Sequence, residues 1–444
     1  MKLLQKICLG LSGAAFLVLI GGLMSINPAL WQPAAVGLSV FVAIGIGGLS
    51  ALKNYQYTAW IIVAVVAGMI YPQAFLKWGN FDLRNKWLIL FIVQLVMFGM
   101  GIQMSLRDFS GLGTTGKGVL VGLLCHFSIM PLMGYLLTRI FHFEPEIAAG
   151  IILIGSCSSG LASNVMVYLA RANLVLSVTI TALATLAAPF LTPLLMKLLA
   201  GTLIEVKFMD MMMEIIKIVI IPIGAALLHD FLKRANSGQK RKIYIIAGFC
   251  AVWLLVLALG GWNYLAAYLT AAAQASLILS CFFTGAFLTG LGYHWLTTRY
   301  GRLDELMPYV SMFGIVYFTT VTTAAGHDNL LKVGLILFFA SVIHNAAGYF
   351  FGYWLGRAVG MDKNSSRTIA FEVGLQNGGM ASGLAGSMGK LGTIGLASAV
   401  FSPWMNISGS ILANYWRRNP VNNVDDNIVS YNEKISQQIQ YSKK

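Results

Sequence analysis

Of the 16 acidic residues in this 444-residue chain, all but one lie in polar loops, at the ends of apolar runs or in the C-terminal segment. The exception is Glu372, which sits well inside the apolar run from Arg367 to Met388, with no Lys or Arg in the run's interior. A carboxylate in such a place costs several kcal/mol unless something neutralises it. Two chemistries would do so: a proton, with the acid hydrogen-bonded inside a helix bundle, or a bound cation. Oxygen donors for the second are close at hand in Ser163, Asn164, Ser177, Thr181 and Gln376. Ser177 and Thr181 are one helical turn apart, so both hydroxyls share a helix face. Hard oxygen ligands, without a thiolate or a histidine cluster, suit an alkali cation better than zinc or copper. The cation reading is preferred, because ionisable residues within membrane spans are by default functional.

These residues need an apolar scaffold, and the composition supplies one. Hydrophobic residues make up 57% of the chain and charged residues only 10%, against roughly 25% charged in soluble domains. The chain is therefore an all-α polytopic membrane protein embedded in a lipid bilayer. Apolar runs fall near 7–24, 33–51, 58–76, 87–105, 118–140, 147–169, 174–200, 211–232, 243–261, 266–297, 306–325, 331–355, 368–389 and 391–415, which gives fourteen expected spans. Two of them turn polar and glycine-rich in the middle, around Gly155–Asn164 and Glu372–Gly379. Paired interruptions of this kind mark a transporter's binding site, since broken backbone at mid-membrane must be buried in protein or line a cavity. Freed N–H groups beside Asn164 and Asn377 favour an anionic substrate group. The chain also repeats weakly: Gly134-Tyr135 and Gly348-Tyr349 share an offset with Pro189 and Pro403, and Asn164 and Asn377 miss it by one.

The net charge of +14 suggests nucleic acid at first sight, but the basic residues sort by loop instead. Twenty-one of the 30, including Lys6, Lys53, Arg107, Lys117, Arg171, Lys240, Arg357, Arg367 and Arg417, fall in alternate loops or the tail. The positive-inside bias then puts both termini in the cytoplasm, in a cell inner (plasma) membrane, with no nucleic-acid partner expected. No cleavable signal peptide stands out at the N-terminus. The five cysteines lie singly in apolar stretches and read as buried thiols. Lys233–Lys242 reads as a polar link between the eighth and ninth spans, and Arg417–Lys444 as a disordered tail. Gly111–Gly118 imitates a phosphate loop, but no strand precedes it, so a flexible loop is expected. No nucleophile–base spacing of a hydrolase appears, so no catalytic residue is assigned and no enzyme is expected.

Ser163-Asn-Val-Met-Val-Tyr-Leu-Ala-Arg171, Leu176-Ser-Val-Thr-Ile-Thr181, Pro189-Phe-Leu-Thr-Pro193, Glu372-Val-Gly-Leu-Gln-Asn377 and the stretch from Trp404 to Arg418 together resemble the bile acid:sodium symporter family. The resemblance covers roughly 58–232 and 306–418. It implies inverted five-helix repeats, with two crossing discontinuous helices in a core domain and a panel domain that moves against it. About four spans are additional here. Residues 1–57 would form an N-terminal two-span extension, and 58–232 the first repeat with the first helix of the second. Residues 233–305 would be an inserted cytoplasmic loop and two spans, 306–418 the remainder of the second repeat, and 419–444 a cytoplasmic tail.

The resemblance also implies site residues. One sodium would be held by Ser163, Asn164, Ser177, Thr181 and Glu372. A second would take Glu372, Gln376 and the carbonyls of Val373 and Leu375, and its remaining ligand in relatives is a glutamine at the position of His126. Neutral imidazole is a poor sodium ligand, and a protonated one repels the ion. Either a proton replaces that sodium, or His126 simply hydrogen-bonds to Glu372 or Gln376. The substrate, a small organic anion such as a bile-acid-like compound or a carboxylate, would meet Asn164, Asn377 and Leu161, the last standing where relatives often carry a polar residue. Cys157-Ser-Ser-Gly160 replaces the usual Cys-Pro-Gly-Gly, which predicts a less sharply unwound first break. The expected function is sodium-coupled symport of an organic anion. Proton-coupled transport, or a sensor that does not transport, are the alternatives.

Overall fold

The computed structural model describes residues 2–49, 52 and 55–421; residues 422–444, most of the expected tail, lie outside the described residues, as does Lys53. The described chain is almost entirely helical. It begins with α1 (Lys2–Met24), α2 (Pro28–Gly45), α3 (Gln56–Ile70) and α4 (Lys86–Ile102), with a short hairpin of β1 (Lys77–Trp78) and β2 (Phe81–Asp82) before α4. Then come α5 (Leu112–Phe141), α6 (Pro145–Ser156), α7 (Leu161–Leu169) and α8 (Leu174–Ala200). A π turn joins α9 (Phe208–Ile215) to α10 (Ile221–Arg234), and another joins α11 (Ser237–Val256) to α12 (Trp262–Tyr268). The chain continues as α13 (Ala271–Arg299), α14 (Leu303–Ala325), α15 (His327–Ala358), α16 (Lys363–Gly374), α17 (Gly378–Ser387) and α18 (Ile394–Arg418).

Nine helical stretches among the described residues are long and apolar enough to cross a membrane. The other expected runs fall on the shorter α3 and α4, on the broken pairs α6–α7 and α16–α17, and on α18. Polar caps set the boundaries more sharply than hydropathy does. Asn85, Asn173 and Asp362 each accept a backbone N–H of the first turn of α4, α8 and α16, which satisfies donors that a helix start leaves free. The link expected over 233–242 is much shorter than predicted. Asn236 and Gln239 form a reciprocal capping box, so α11 starts at Ser237 and takes up the lysine-rich segment as helix. Residues 111–118 are likewise no loop, because α5 begins at Leu112 with a kink at Thr115. Arg417 and Arg418, assigned to the tail, complete α18. Of the five thiols, Cys8, Cys125 and Cys157 are buried and Cys250 and Cys281 only half-buried, because their helices turn one face outward.

The helices sort into two packed groups. In one, α5 to α8 and α15 to α18 pack on one another; in the other, α4 packs on α10 and α14, and α14 on α3. This is the core and panel arrangement. The groups meet chiefly where α17 lies on α4 and α8 on α9. The α1–α2 hairpin packs on α3, and the inserted α13 on α10. That insertion is tied by polar side chains: Tyr293 donates to Asp304 Oδ1 at 2.9 Å, and His294 Nδ1 lies 3.3 Å from His229 Nδ1. Lys233 donates to the same Asp304 at 2.6 Å.

Candidate functional site

The two breaks meet at the centre of the core. After Ser156 the chain turns extended at Cys157, and α7 restarts at Leu161. After Gly374 it turns extended at Leu375, and Asn377 caps α17 by accepting the Met380 N–H at 3.0 Å. The two extended segments satisfy each other, with Ser159 and Gln376 paired in an antiparallel bridge and the Asn377 N–H donating to the Ser158 carbonyl at 2.8 Å. A Cβ on Gly160 would stand 3.2 Å from the Gln376 carbonyl oxygen, a tight contact that the glycine avoids. The break is therefore fully unwound, contrary to the expectation from Ser158 and Ser159. Strand-like pairing gives the Ser158 carbonyl a main-chain donor in the Asn377 N–H.

Glu372 lies near the end of α16 and is wholly buried. Three hydroxyls converge on its carboxylate: Ser177 at 2.5 Å on Oε1, and Ser159 at 2.7 Å and Thr181 at 2.9 Å on Oε2. Asn164 Oδ1 lies 2.7 Å from the Ser177 hydroxyl and 3.2 Å from the Thr181 hydroxyl, an alternative acceptor to the carboxylate for the single proton of each. Ser163 donates to the Gly160 carbonyl and lies 3.4 Å from Thr181 Oγ1. No cationic side chain pairs with Glu372 among the described residues. The structure thus gathers Ser163, Asn164, Ser177, Thr181 and Glu372 from three helices, α7, α8 and α16, into one oxygen cluster. It adds Ser159, which the sequence reading did not single out. The available signal was the departure itself, a hydroxyl-bearing residue within the Cys-Pro-Gly-Gly position.

The second expected set is only partly assembled. Gln376 Nε2 donates to the Val373 carbonyl at 2.8 Å, while its Oε1 is buried with no hydrogen-bond donor. The Leu375 N–H returns to the Phe371 carbonyl at 2.9 Å. His126, on α5, is completely buried and does not reach the side chain of Glu372 or of Gln376 by hydrogen bond. Its Nδ1 lies 2.8 Å from the Glu372 main-chain oxygen and its Nε2 2.7 Å from the Cys157 main-chain oxygen.

Leu161, Asn164 and Asn377 occupy different surroundings. Leu161 and Asn164 are half-buried on α7, and the neighbouring Val165 and Tyr168 are exposed, at 51% and 68%. Asn377 is buried, its amide 3.9 Å from Met100 Sδ on α4. All of α17 from Gly379 to Gly386 is buried, and its glycines lie against α4. An added Cβ would meet Met97 at Gly379, Val93 at Gly383 and Ile89 at Gly386. One broken helix thus has its second half covered by the panel, while the other has its second half open.

The sequence pattern described as the Sodium Bile acid symporter family matches residues 89–267. The chain is 30% identical over 371 residues to the uncharacterized sodium-dependent transporter YocS of Bacillus subtilis, covering 83% of this chain and 93% of that one. It is 27% identical over 371 residues to the probable sodium/metabolite cotransporter BASS1, chloroplastic, of Arabidopsis thaliana, covering 83% and 75%. With the ileal sodium/bile acid cotransporter of Homo sapiens it shares 25% identity over 292 residues, or 64% and 65% of the two chains. Among solved structures, the sodium proton antiporter MjNhaP1 of Methanocaldococcus jannaschii superposes with a TM-score of 0.50 at 12% identity, over 88% of this chain and 97% of that one. At that identity the likeness is one of fold alone.

Proposed function

The chain belongs to the sodium bile acid symporter family, a family of membrane transporters rather than enzymes, and from that premise we propose that it carries an organic anion inward together with sodium. The observation that carries this reading is Glu372, a buried carboxylate met by three hydroxyls, two of which also reach the Asn164 amide oxygen, and by no cationic side chain among the described residues. The donor set fits a sodium ion carried as cargo: all oxygen, one full negative charge, and small side chains held by helices. Ser159, Ser163, Asn164, Ser177, Thr181 and Glu372 would hold it.

Asn164 would couple the ion to the substrate. Its oxygen belongs to the cluster, and its half-buried side chain borders the open side of α7. With the start of α7, and with Asn377 once the panel moves, it would meet a carboxylate or another anionic group. The additional Leu161 favours an amphipathic acid over a strongly polar one. The asymmetry between a covered α17 and an exposed α7 supports alternating access, in which the panel uncovers one half of the crossing at a time. The excess of basic residues in alternate loops supports a cytoplasmic side for both termini, with α7 opening to that side. The matching lengths of α5 and α15, of α6–α7 and α16–α17, and of α8 and α18 support inverted repeats.

A second sodium is supported by Gln376 Oε1, a buried acceptor with no donor, because such an atom is costly unless a cation or donor meets it. The competing reading, with a proton in that ion's place, is favoured by His126. Both of its nitrogens face carbonyl oxygens, and a neutral ring has only one N–H to offer. Counterflow of labelled carboxylates and steroid conjugates in proteoliposomes, with and without a sodium gradient, tests the proposal. Sodium-stimulated accumulation of an anion is the expected result. Uptake that ignores sodium, or a preference for organic cations, would overturn it.

A further inference from the structure

A cavity lies on the flank of the core, behind the crossing. It occupies about 850 Å³ between α15 and α18, and none of its lining residues belongs to a panel helix. Its walls are aromatic, with Tyr353 and Trp354 on α15 and Trp404, Tyr415 and Trp416 on α18, and its one charged lining residue is Arg367. The sequence places Arg367 in a cytoplasmic loop, but it lies on the second turn of α16 and is only 9% exposed. Its guanidinium donates to the main-chain oxygens of Asn419, at 2.8 Å, and Trp416, at 3.5 Å, and sits 5.4 Å from the Trp416 ring centre. No carboxylate pairs with it among the described residues. A guanidinium so buried and without a counter-charge is costly, and its planar fork matches a phosphate.

We infer that this groove is a binding site for an anionic phospholipid, with the phosphate on Arg367 and one acyl chain laid along the aromatic wall. Three observations fix the occupant. First, the charge is complementary. Arg357, Lys363, Arg417 and Arg418 lie at the same end of these helices, and the one acid there among the described residues, Asp362, is turned to cap α16. Basic pockets between spans on the cytoplasmic side are suited to lipid head groups. Second, the length fits. From Trp404 to Asn419 the groove follows α18 for about 22 Å at ~1.5 Å per residue, which is about half of a ~40–45 Å bilayer. Third, the rim faces hydrocarbon, since Phe350, Trp354, Ile411 and Tyr415 are all more than half exposed.

The site also backs onto the second break. At its floor Ser408 donates to Asn345 Oδ1 at 2.6 Å, and Asn345 Nδ2 donates to the Gly374 carbonyl at 2.8 Å. A lipid packed here would brace the side chain that holds the end of α16.

The test uses the full chain in detergent micelles doped with phosphatidylglycerol or with phosphatidylcholine, with retained lipid counted by mass spectrometry. Wild type should retain about one phosphatidylglycerol per chain, with at least tenfold preference over phosphatidylcholine. Arg367→Gln should bring that preference close to parity, and Arg367→Lys should keep most of it. Because Arg367 also holds the chain at Asn419, Ile411→Trp provides a second probe, filling the groove from its exposed rim and lowering retention with Arg367 intact. Equal retention of both lipids by wild type, or an undiminished preference in both Arg367→Gln and Ile411→Trp, would overturn the inference. So would retention that emerges only after residues 422–444 are removed, which would assign the groove to the chain's own tail.

Discussion

Replacing Glu372 with Gln tests the ion site most directly, because the side chains differ by one charge and almost no volume. In the wild type, sodium at a hundred times its dissociation constant should stabilise the folded state by about 2.7 kcal/mol. The substitution removes the only charge in the cluster. It also turns one of two acceptor oxygens into a donor, although three hydroxyls at 2.5, 2.7 and 2.9 Å now address that carboxylate. Taking the upper end of the ~1.5–3 kcal/mol that a hydrogen bond to a charged group contributes, because a full charge leaves a buried shell, sodium binding should weaken about a hundredfold at ~1.4 kcal/mol per decade. The same sodium concentration would then stabilise by only about 0.4 kcal/mol. Without sodium the variant should be no less stable than wild type, since a buried charge with no cationic partner among the described residues has been removed. Thermal unfolding across a sodium series, with choline as the balancing cation, measures both effects. A sodium response as large in the variant as in wild type would refute the assignment, and a variant unfolded without sodium would refute the desolvation argument.

Three further outcomes are expected. Ser159→Ala should lower sodium affinity about fivefold, the value of one neutral oxygen at ~1 kcal/mol; an unchanged sodium titration would exclude Ser159 from the shell. Cysteine at Tyr168 should react with a polar thiol reagent in inside-out vesicles while cysteine at Ser382 stays protected, in a background lacking the five native thiols; the reverse pattern would contradict the inward-open reading. His126→Gln should raise the number of sodium ions coupled per anion, read from the reversal potential against the sodium gradient. Identical stoichiometry would leave His126 a structural residue.

How far the site was legible depended on how rare each residue type is in an apolar helix. Glu372 stood out because a carboxylate in the membrane is expensive, and the asparagines because they coincide with glycine-rich breaks. Ser159 did not, because a serine hydroxyl is cheap in a helix that can bond its own carbonyls. The orientation of His126 was hidden for a different reason: both of its partners are main-chain oxygens, which sequence does not mark. The same limit applied to Arg367, whose position near a helix start is equally consistent with solvent and with burial against Trp416. The fourteen apolar runs were recoverable from hydropathy, yet which of their faces meet protein and which meet lipid was not, since both are apolar. Only the cross-helix ties, such as Tyr293 to Asp304, show where the inserted helices dock.

The two long helices behind the crossing explain why its broken backbone holds together. A helix that stops at mid-membrane leaves carbonyls without partners, and lipid offers none. On α5, His126 meets the carbonyl of Cys157, just past the end of α6; on α15, Asn345 donates to the carbonyl of Gly374, the last residue of α16. Each long helix also approaches its broken partner at a glycine. A Cβ on Gly134 would come within 3.0 Å of the Ile151 carbonyl oxygen, and one on Gly348 within 2.8 Å of Gly374 Cα. The weak repeat containing Gly134 and Gly348 therefore marks equivalent close contacts. Both breaks are gripped from behind by unbroken helices, which leaves Glu372, Ser177, Thr181 and Asn164 facing one another on rigid supports. A cluster so fixed cannot change its ion affinity by flexing its own ligands. On the proposed alternating-access reading the variable element is the cover, and the seam where the α17 glycines meet Ile89, Val93 and Met97 of α4 would be the cover that this conformation closes.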